Sequence, residues 1–327
     1  ATKAYERIIN DYPDSPFVEE AVWFVGINSE RFYDFEKAIR THLTLVRQFP
    51  NSTHRADALF QASLLEEQTQ KYQSAAKNYE RYAQLFPTRK DTAETFFRAG
   101  KVYEKLNDNR NQIRIYEKFA REYGNDPAQN SRVVEGLPRI AEIYESQGKR
   151  RQTKKAWQRV IDEFNRRGMQ AGTFEAQYPA KAAFRIVEMD FVRYETLKLK
   201  GSLKNQGRII KDMQRWIKEL NRRYTDVLQY KSSEWNIAAL YRMGHIFQLF
   251  AQALYDAPIP PSVSVDMEDI YRTQLEDVAL PVEDEAVSKY EFAYNKSREF
   301  KLTTEWTKRI VKALNKYNPS DYPLFKE

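Results

Sequence analysis

Residues 5–26 read YERIINDYPDSPFVEEAVWFVG, residues 42–63 read HLTLVRQFPNSTHRADALFQAS, and residues 79–100 read YERYAQLFPTRKDTAETFFRAG. The three stretches share one register with a step of 37. Pro13, Pro50 and Pro87 mark it, as do Tyr5, His42, Tyr79 and Tyr116, and the small residues Gly26, Ser63 and Gly100. A fourth copy, with Ala141, Tyr144 and Trp157 in the corresponding places, follows a slip of four residues in EYGNDPAQNSRVVEG (122–136). A fixed step of about 20–50 residues is the signature of stacked repeats, and a longer loop between repeats is inserted at modest entropic cost.

Each copy reads as two amphipathic helices. The first carries Val18, Ala21, Val22, Val25 and Gly26 at helical spacing. Ser15, Pro16 and Glu19 predict its start as an N-cap, a first-turn proline and the far half of a capping box. The second helix, near Phe35 to Phe49, carries Ala38, Ile39, Leu43 and Val46 on one stripe, and Pro50 ends it. Gly26, Ser63, Gly100 and Ala141 are small so that the second helix can approach the first. No strand-like alternation of any length occurs, and 10 glycines in 327 residues disfavour Gly-rich turns and phosphate loops. The absence of cysteine removes disulfides, thiol nucleophiles and Cys-based metal sites from consideration and is compatible with cytosol or periplasm.

The pattern resembles the tetratricopeptide repeat. A small residue is followed three later by tyrosine (Gly100–Tyr103, Ala141–Tyr144). Alanine stands on the next helix (Ala38, Ala75), an aromatic four later (Tyr79), and a helix-ending proline twelve after the alanine (Pro50, Pro87). The usual period is about 34; here the extra residues lie in turns such as Pro50–Ala56. That variant is similar to bacterial envelope tetratricopeptide proteins of outer-membrane assembly and Tol-associated factors. The resemblance implies an all-α, right-handed α-solenoid. It covers residues 1–165. Residues 166–255 read as divergent, longer helices, and 256–327 as a proline-rich loop (Pro258, Pro260, Pro261), a last repeat from Pro281 with Ala286, Tyr290 and Ala293, and a terminal helix capped by Thr303 or Thr304. The stretch YEFAYNKSREFKLTTEWTKRI (290–310) is similar to the tail of tetratricopeptide proteins of myxobacterial gliding-motility machinery, which implies a periplasmic or outer-membrane-associated scaffold. The opening ATKAYERII aligns with a second helix, so further sequence is expected before it. The segment Ile237–Tyr255 has about the length of a membrane span, but Arg242, His245, Gln248 and Gln252 make it a core helix in this reading.

No catalytic, cofactor or metal residues are expected. His42, His54 and His245 have no second histidine at ligand spacing, and no nucleotide-binding or hydrolase motif appears. The candidate site is instead the inner face that first helices line in this family. Six before the small residue stand Glu20, Asp57 and Glu94; three before, Trp23, Phe60 and Phe97; one after, Ile27, Leu64 and Lys101; four after, Glu30, Glu67 and Glu104. Stacked, they predict an aromatic stripe flanked by carboxylates, suited to a protein segment with apolar anchors and basic side chains. The competing reading places the rings in the core and the acids on helix ends, where the dipole favours them.

Charge supplies a second candidate. Residues 149–231 hold 21 basic and 9 acidic side chains, whereas 256–286 hold 1 and 9. Lys149, Arg150, Arg151, Lys154, Lys155, Arg159, Arg166 and Arg167 form the densest cluster. It reads either as a solvated face or as a site for an acidic protein or anionic surface; nucleic acid ranks last, since no binding module is visible. The function expected is a non-catalytic interaction scaffold in an envelope-associated complex. The alternative is an accessory repeat domain of a larger enzyme or secretion complex.

Overall fold

The protein is described by a computed structural model over residues 2–324. Among the described residues it is all-α, of α-solenoid type: fourteen α-helices, three short 3-10 turns and no strand. The chain divides into two compact units, residues 1–147 and 148–327.

The first unit contains α1 (Thr2–Asp11), α2 (Val18–Arg31), α3 (Phe35–Gln48), α4 (Arg55–Gln68), α5 (Tyr72–Leu85), α6 (Thr92–Lys105), α7 (Asn109–Glu122) and α8 (Asn130–Ser146). Each helix packs against its successor in the chain. Six successive helices, α2 to α7, are each 14 residues long, so the repeat step is literal in the backbone. The small residues sit under aromatics of the following helix. A Cβ on Gly26 would fall 2.6 Å from the His42 ring, and one on Gly100 2.6 Å from the Tyr116 ring. Ala38, Ala75 and Tyr79 are fully buried.

The helix starts differ from the expected capping box. Val18 is the first residue of α2, its N-cap Phe17 makes no side-chain cap, and the Ser15 hydroxyl instead accepts from the Phe17 amide at 3.3 Å. Ser52, one step later, accepts from the His54 amide at 3.1 Å. The serine therefore closes the turn after the proline rather than the helix, because the chain needs a further turn to bring the next helix alongside. Two of the second helices are capped by side chains instead: Asp34 accepts from the Lys37 amide at α3 and Asp108 from the Asn111 amide at α7, whereas α5, with Lys71 at its N-cap, has no such cap.

The turn between the two helices of a pair repeats as well. Tyr33, Gln70 and Asn107, spaced by the same step, have φ of 60°, 62° and 53°. Next to each, an amide reaches back across the helix end: Asp34 to the Ser29 carbonyl, Lys71 to Glu66 and Asp108 to Tyr103, at 2.7–3.0 Å. This left-handed close of a helix satisfies its last carbonyls.

The second unit contains α9 (Arg150–Arg166), α10 (Gln177–Glu195), α11 (Leu203–Leu228), α12 (Ser233–Tyr255), α13 (Glu268–Glu299) and α14 (Glu305–Asn315). Its helices reach 32 residues, longer than any in the first unit. Gly244 of α12 lies under Tyr290 of α13, where a Cβ would come within 2.8 Å of the ring, so the small-residue contact recurs here. The proline-rich segment forms the irregular connection between α12 and α13. A helix beginning at Pro281 is not what forms: α13 starts at Glu268 and carries Pro281 inside it, because the exposed proline loses only one amide bond on an outer face. Thr304 caps α14 through a reciprocal pair with Thr307. None of the described helices is long and apolar enough to cross a membrane. The polar side chains of α12 have protein partners: Arg242 binds Glu188, Gln248 accepts from the Tyr290 hydroxyl at 2.6 Å, and Gln252 donates to Asp256 at 3.0 Å.

Candidate functional site

In the first unit the predicted site residues fall on α2, α4 and α6 at matching positions. Their surroundings are not equal. Trp23 and Phe60 are half-buried; Phe97 is buried, packed against Tyr116 and Phe119 with ring centroids 5.2 and 5.0 Å away. Trp23 stacks on His54 at 4.7 Å and tilts against His42 at 5.4 Å. Phe60 lies 6.3 Å from the Tyr79 ring and 6.2 Å from that of Tyr82. Ile27 and Leu64 are half-buried beside them, whereas Lys101 is exposed and sits 5.3 Å over the Phe97 ring.

The carboxylates mostly answer to cations of the next helix pair. Asp57 meets Arg89 at 2.8 Å, Glu94 meets Arg132 at 2.8 Å and Glu104 meets Arg139 at 3.1 Å, while the site residue Lys101 itself pairs with Glu135 of α8 at 2.8 Å. Glu67 receives Arg98 and Lys105, each at 2.7 Å, and the Tyr79 hydroxyl at 3.0 Å. Burial pulls its carboxyl upward, but the hydrogen bonds from Lys105, Arg98 and Tyr79 outweigh that and hold it below the ordinary value. The outer pairs are exposed and contribute roughly 0–1 kcal/mol each. Their regularity fixes one pair against the next. Glu20 and Glu30 form no ion pair with the described residues. Sequence spacing found the acids; it missed their partners, which lie 31–38 positions on. The same step of 37 would have exposed them.

In the second unit, Arg150, Arg151, Lys154 and Lys155 of α9 line a shallow cleft of about 690 Å³ with Ile186, Met189, Asp190 and Arg193 of α10. Arg150 is committed to the Met189 carbonyl at 2.9 Å. Arg151, Lys154, Lys155 and Arg193 are exposed around the apolar floor. Arg166 and Arg167 both turn to Glu163, at 2.6 and 3.0 Å, Lys149 is the N-cap residue of α9, and Arg159 is half-buried. The predicted cluster thus splits, and only its first turns face the cleft. A longer feature escaped the segment-wise charge count. Lys204, Arg208, Lys211, Arg215, Lys218 and Arg222, alternately four and three apart, form one exposed stripe along α11, while Met213, Ile217, Leu220, Tyr224 and Val227 bury the opposite face. The stripe spans about 27 Å at the usual helical rise.

A tetratricopeptide-repeat family model matches residues 139–164, the end of α8 and most of α9. No curated protein matches the chain. Among solved structures, a TPR repeats protein from Bacteroides fragilis is 14% identical, with 80% of this chain and 98% of that one covered and a TM-score of 0.41. The MamA protein is 12% identical over 89% of this chain and 99% of its own, with a TM-score of 0.35. BtubC from P. vanneervenii is 13% identical over 67% and 88%, with a TM-score of 0.35. The tetratricopeptide match suggests a protein–protein interaction scaffold.

Proposed function

We propose that this protein is a non-catalytic scaffold that holds a segment of a partner protein on the face made by α2 and α4. The observation that carries this reading is the matched, half-buried pair of apolar clusters, Trp23 with Ile27 and Phe60 with Leu64, at one register on neighbouring first helices. Asp57 and Glu67 have cations beside them, so apolar contact supplies affinity here and charge supplies register. The test is a peptide selected from a random library on the full chain. Leu64→Glu and Phe60→Ala are expected to weaken it at least tenfold with the melting temperature of Leu64→Glu unchanged. Unchanged affinity in both removes the reading.

The cleft and stripe of the second unit favour a further contact. Four exposed cations around an apolar floor, and a separate stripe of six along α11 in which Arg215 and Arg222 pair with acids of the same helix, suit an anionic partner surface. Placement in an envelope-associated assembly, and more narrowly in gliding-motility machinery, is proposed on the sequence resemblance of residues 1–165 and 290–310. The tagged protein should then fractionate with periplasm or outer membrane in its native cell; recovery in the cytosol alone rejects it.

A further inference from the structure

The basic cleft of the second unit has a counterpart on the same unit. Its floor is apolar, from Ile186 and Met189 of α10, and its rim carries Arg151, Lys154, Lys155 and Arg193. None of those four exposed cations has an ion-pair partner among the described residues, and the one acid of the lining, Asp190, is held by Arg223 at 2.7 Å. An occupant of this cleft must therefore bring carboxylates and apolar side chains together.

The first half of α13 brings both. Leu275, Ala279, Val282 and Ala286 turn inward, and the opposite side is open. Ile270, Asp277 and Asp284 are seven apart and so lie on one line of that open side, flanked by Leu280 and Pro281. Of the sixteen large apolar side chains exposed among the described residues, five fall within 265–280. Single exposed apolar residues are ordinary, whereas a concentration of them marks an interaction surface. Glu285 pairs with Lys289, but Asp269, Glu276, Asp277 and Asp284 have no ion-pair partner among the described residues.

Within one chain α13 packs against α12 and α14, and α9 against α10. The rim cations stay exposed, so α13 does not cover the cleft of its own chain. Resting on the anionic-contact reading of the cleft above, we propose that the two surfaces meet between copies: α13 of one chain lays the turns around Asp277 and Asp284 into the α9–α10 cleft of a second. Leu280 and Pro281 cover the floor, and the aspartates meet the rim cations. The scales agree. Arg151 to Gln158 along the cleft and Asp277 to Asp284 along α13 are each two turns, about 10 Å of helix. Every copy carries both surfaces, so association closes into a symmetric pair or ring or continues head to tail. One helix edge in one shallow cleft is a small interface, with a Kd on the order of 10 µM.

The test is sedimentation velocity on the full chain and on two charge-reversed forms. At about 50 µM and low salt the native chain should sediment as more than a monomer. Near 1 M salt, where the Debye length is about 3 Å, it should return to monomer. The first form carries Arg151→Glu, Lys154→Glu, Lys155→Glu and Arg193→Glu; the second carries Glu276→Lys, Asp277→Lys and Asp284→Lys. Each alone sets like charge against like and should stay monomeric. An equimolar mixture should associate again, because each form supplies the charge the other has lost. Leu280→Ser changes no charge and should weaken native association several-fold. A native chain that stays monomeric, association retained by either reversed form, a mixture that fails to recover although both forms keep the native circular-dichroism melt, or native association untouched by Leu280→Ser overturns the proposal. Heparin separates this from the reading it rests on. If the native chain is monomeric yet held by heparin through the cleft, the anionic contact stands and the second copy falls. If the first reversed form still associates and elutes from heparin unchanged, both fall.

Discussion

His42 occupies a slot that its register partners fill with tyrosine, and the difference has a pH signature. Burial lowers its pKa from 6.5 to about 4. The unfolded chain therefore binds a proton that the folded chain refuses between those values, and stability rises with pH across that window. Stability is full above about pH 6.5 and is lost progressively down to about 4. At pH 5 the cost from this residue is about 2 kcal/mol. His42→Tyr should place its hydroxyl on Glu30 as Tyr79 does on Glu67, and should shrink the fall in melting temperature between neutral and pH 5. An unchanged fall assigns the acid sensitivity elsewhere. Gly100 makes the companion test: leucine there meets the Tyr116 ring and should cost roughly 1–3 kcal/mol, read from the thermal midpoint. Both residues were legible from the step alone, since spacing identifies which residue lies under which. What spacing could not tell is that Phe97 is buried, with Gly136 of α8 close over its ring, while Trp23 and Phe60 stay half-buried, because that depends on how the next helix lies over each ring.

At the scale of helices, the pairs and their lengths were legible because 37-residue spacing and 3.6-residue periodicity agree. Helix ends were less so. The left-handed residue closing α2, α4 and α6 is Tyr33, Gln70 or Asn107, and a glycine, Gly148, stands there only after α8, so the usual signal was absent from the first three pairs. Gln70→Gly should relieve a penalty of about 1–2 kcal/mol, offset by about 0.5–1 kcal/mol of extra chain entropy. A gain of a few tenths to about 1 kcal/mol in a denaturant titration is expected; a loss refutes strain at that turn. Between α10, α11 and α12 the sequence hid a polar core. Arg242 forks onto Glu188 at 2.9 and 2.7 Å, its guanidinium 4.3 Å from the Phe191 ring, with the Tyr224 hydroxyl on the same carboxylate. These partners lie far apart in sequence with no repeat to link them. Arg242→Ala strands Glu188 in a mostly buried place and should cost on the order of 3–5 kcal/mol. Arg242→Ala combined with Glu188→Ala should recover part of that loss, which separates a stranded charge from lost packing.

Over the molecule as a whole, charge is distributed by position in the chain: 149–231 carry a balance of +12 and 256–286 one of −8. Composition revealed the asymmetry, but not which cations are free to act. Arg150, Arg166 and Arg167 are held by their own unit, so reversing them would test folding and binding together. Arg151, Lys154, Lys155 and Arg193 ring the cleft of the second unit and are the informative set. The Debye length falls from about 10 Å at 0.1 M salt to about 3 Å at 1 M, so attraction between this face and an anionic surface must fade across that range. On a heparin column the native chain should therefore elute at elevated salt. Reversing the four cleft residues to glutamate should bring elution to markedly lower salt, with the circular-dichroism melt unchanged. Reversing Lys204, Arg208, Lys211 and Lys218 on α11 tells whether the stripe acts with the cleft. If neither set shifts elution, the cations of this unit are a solvated face and its anionic contact is withdrawn.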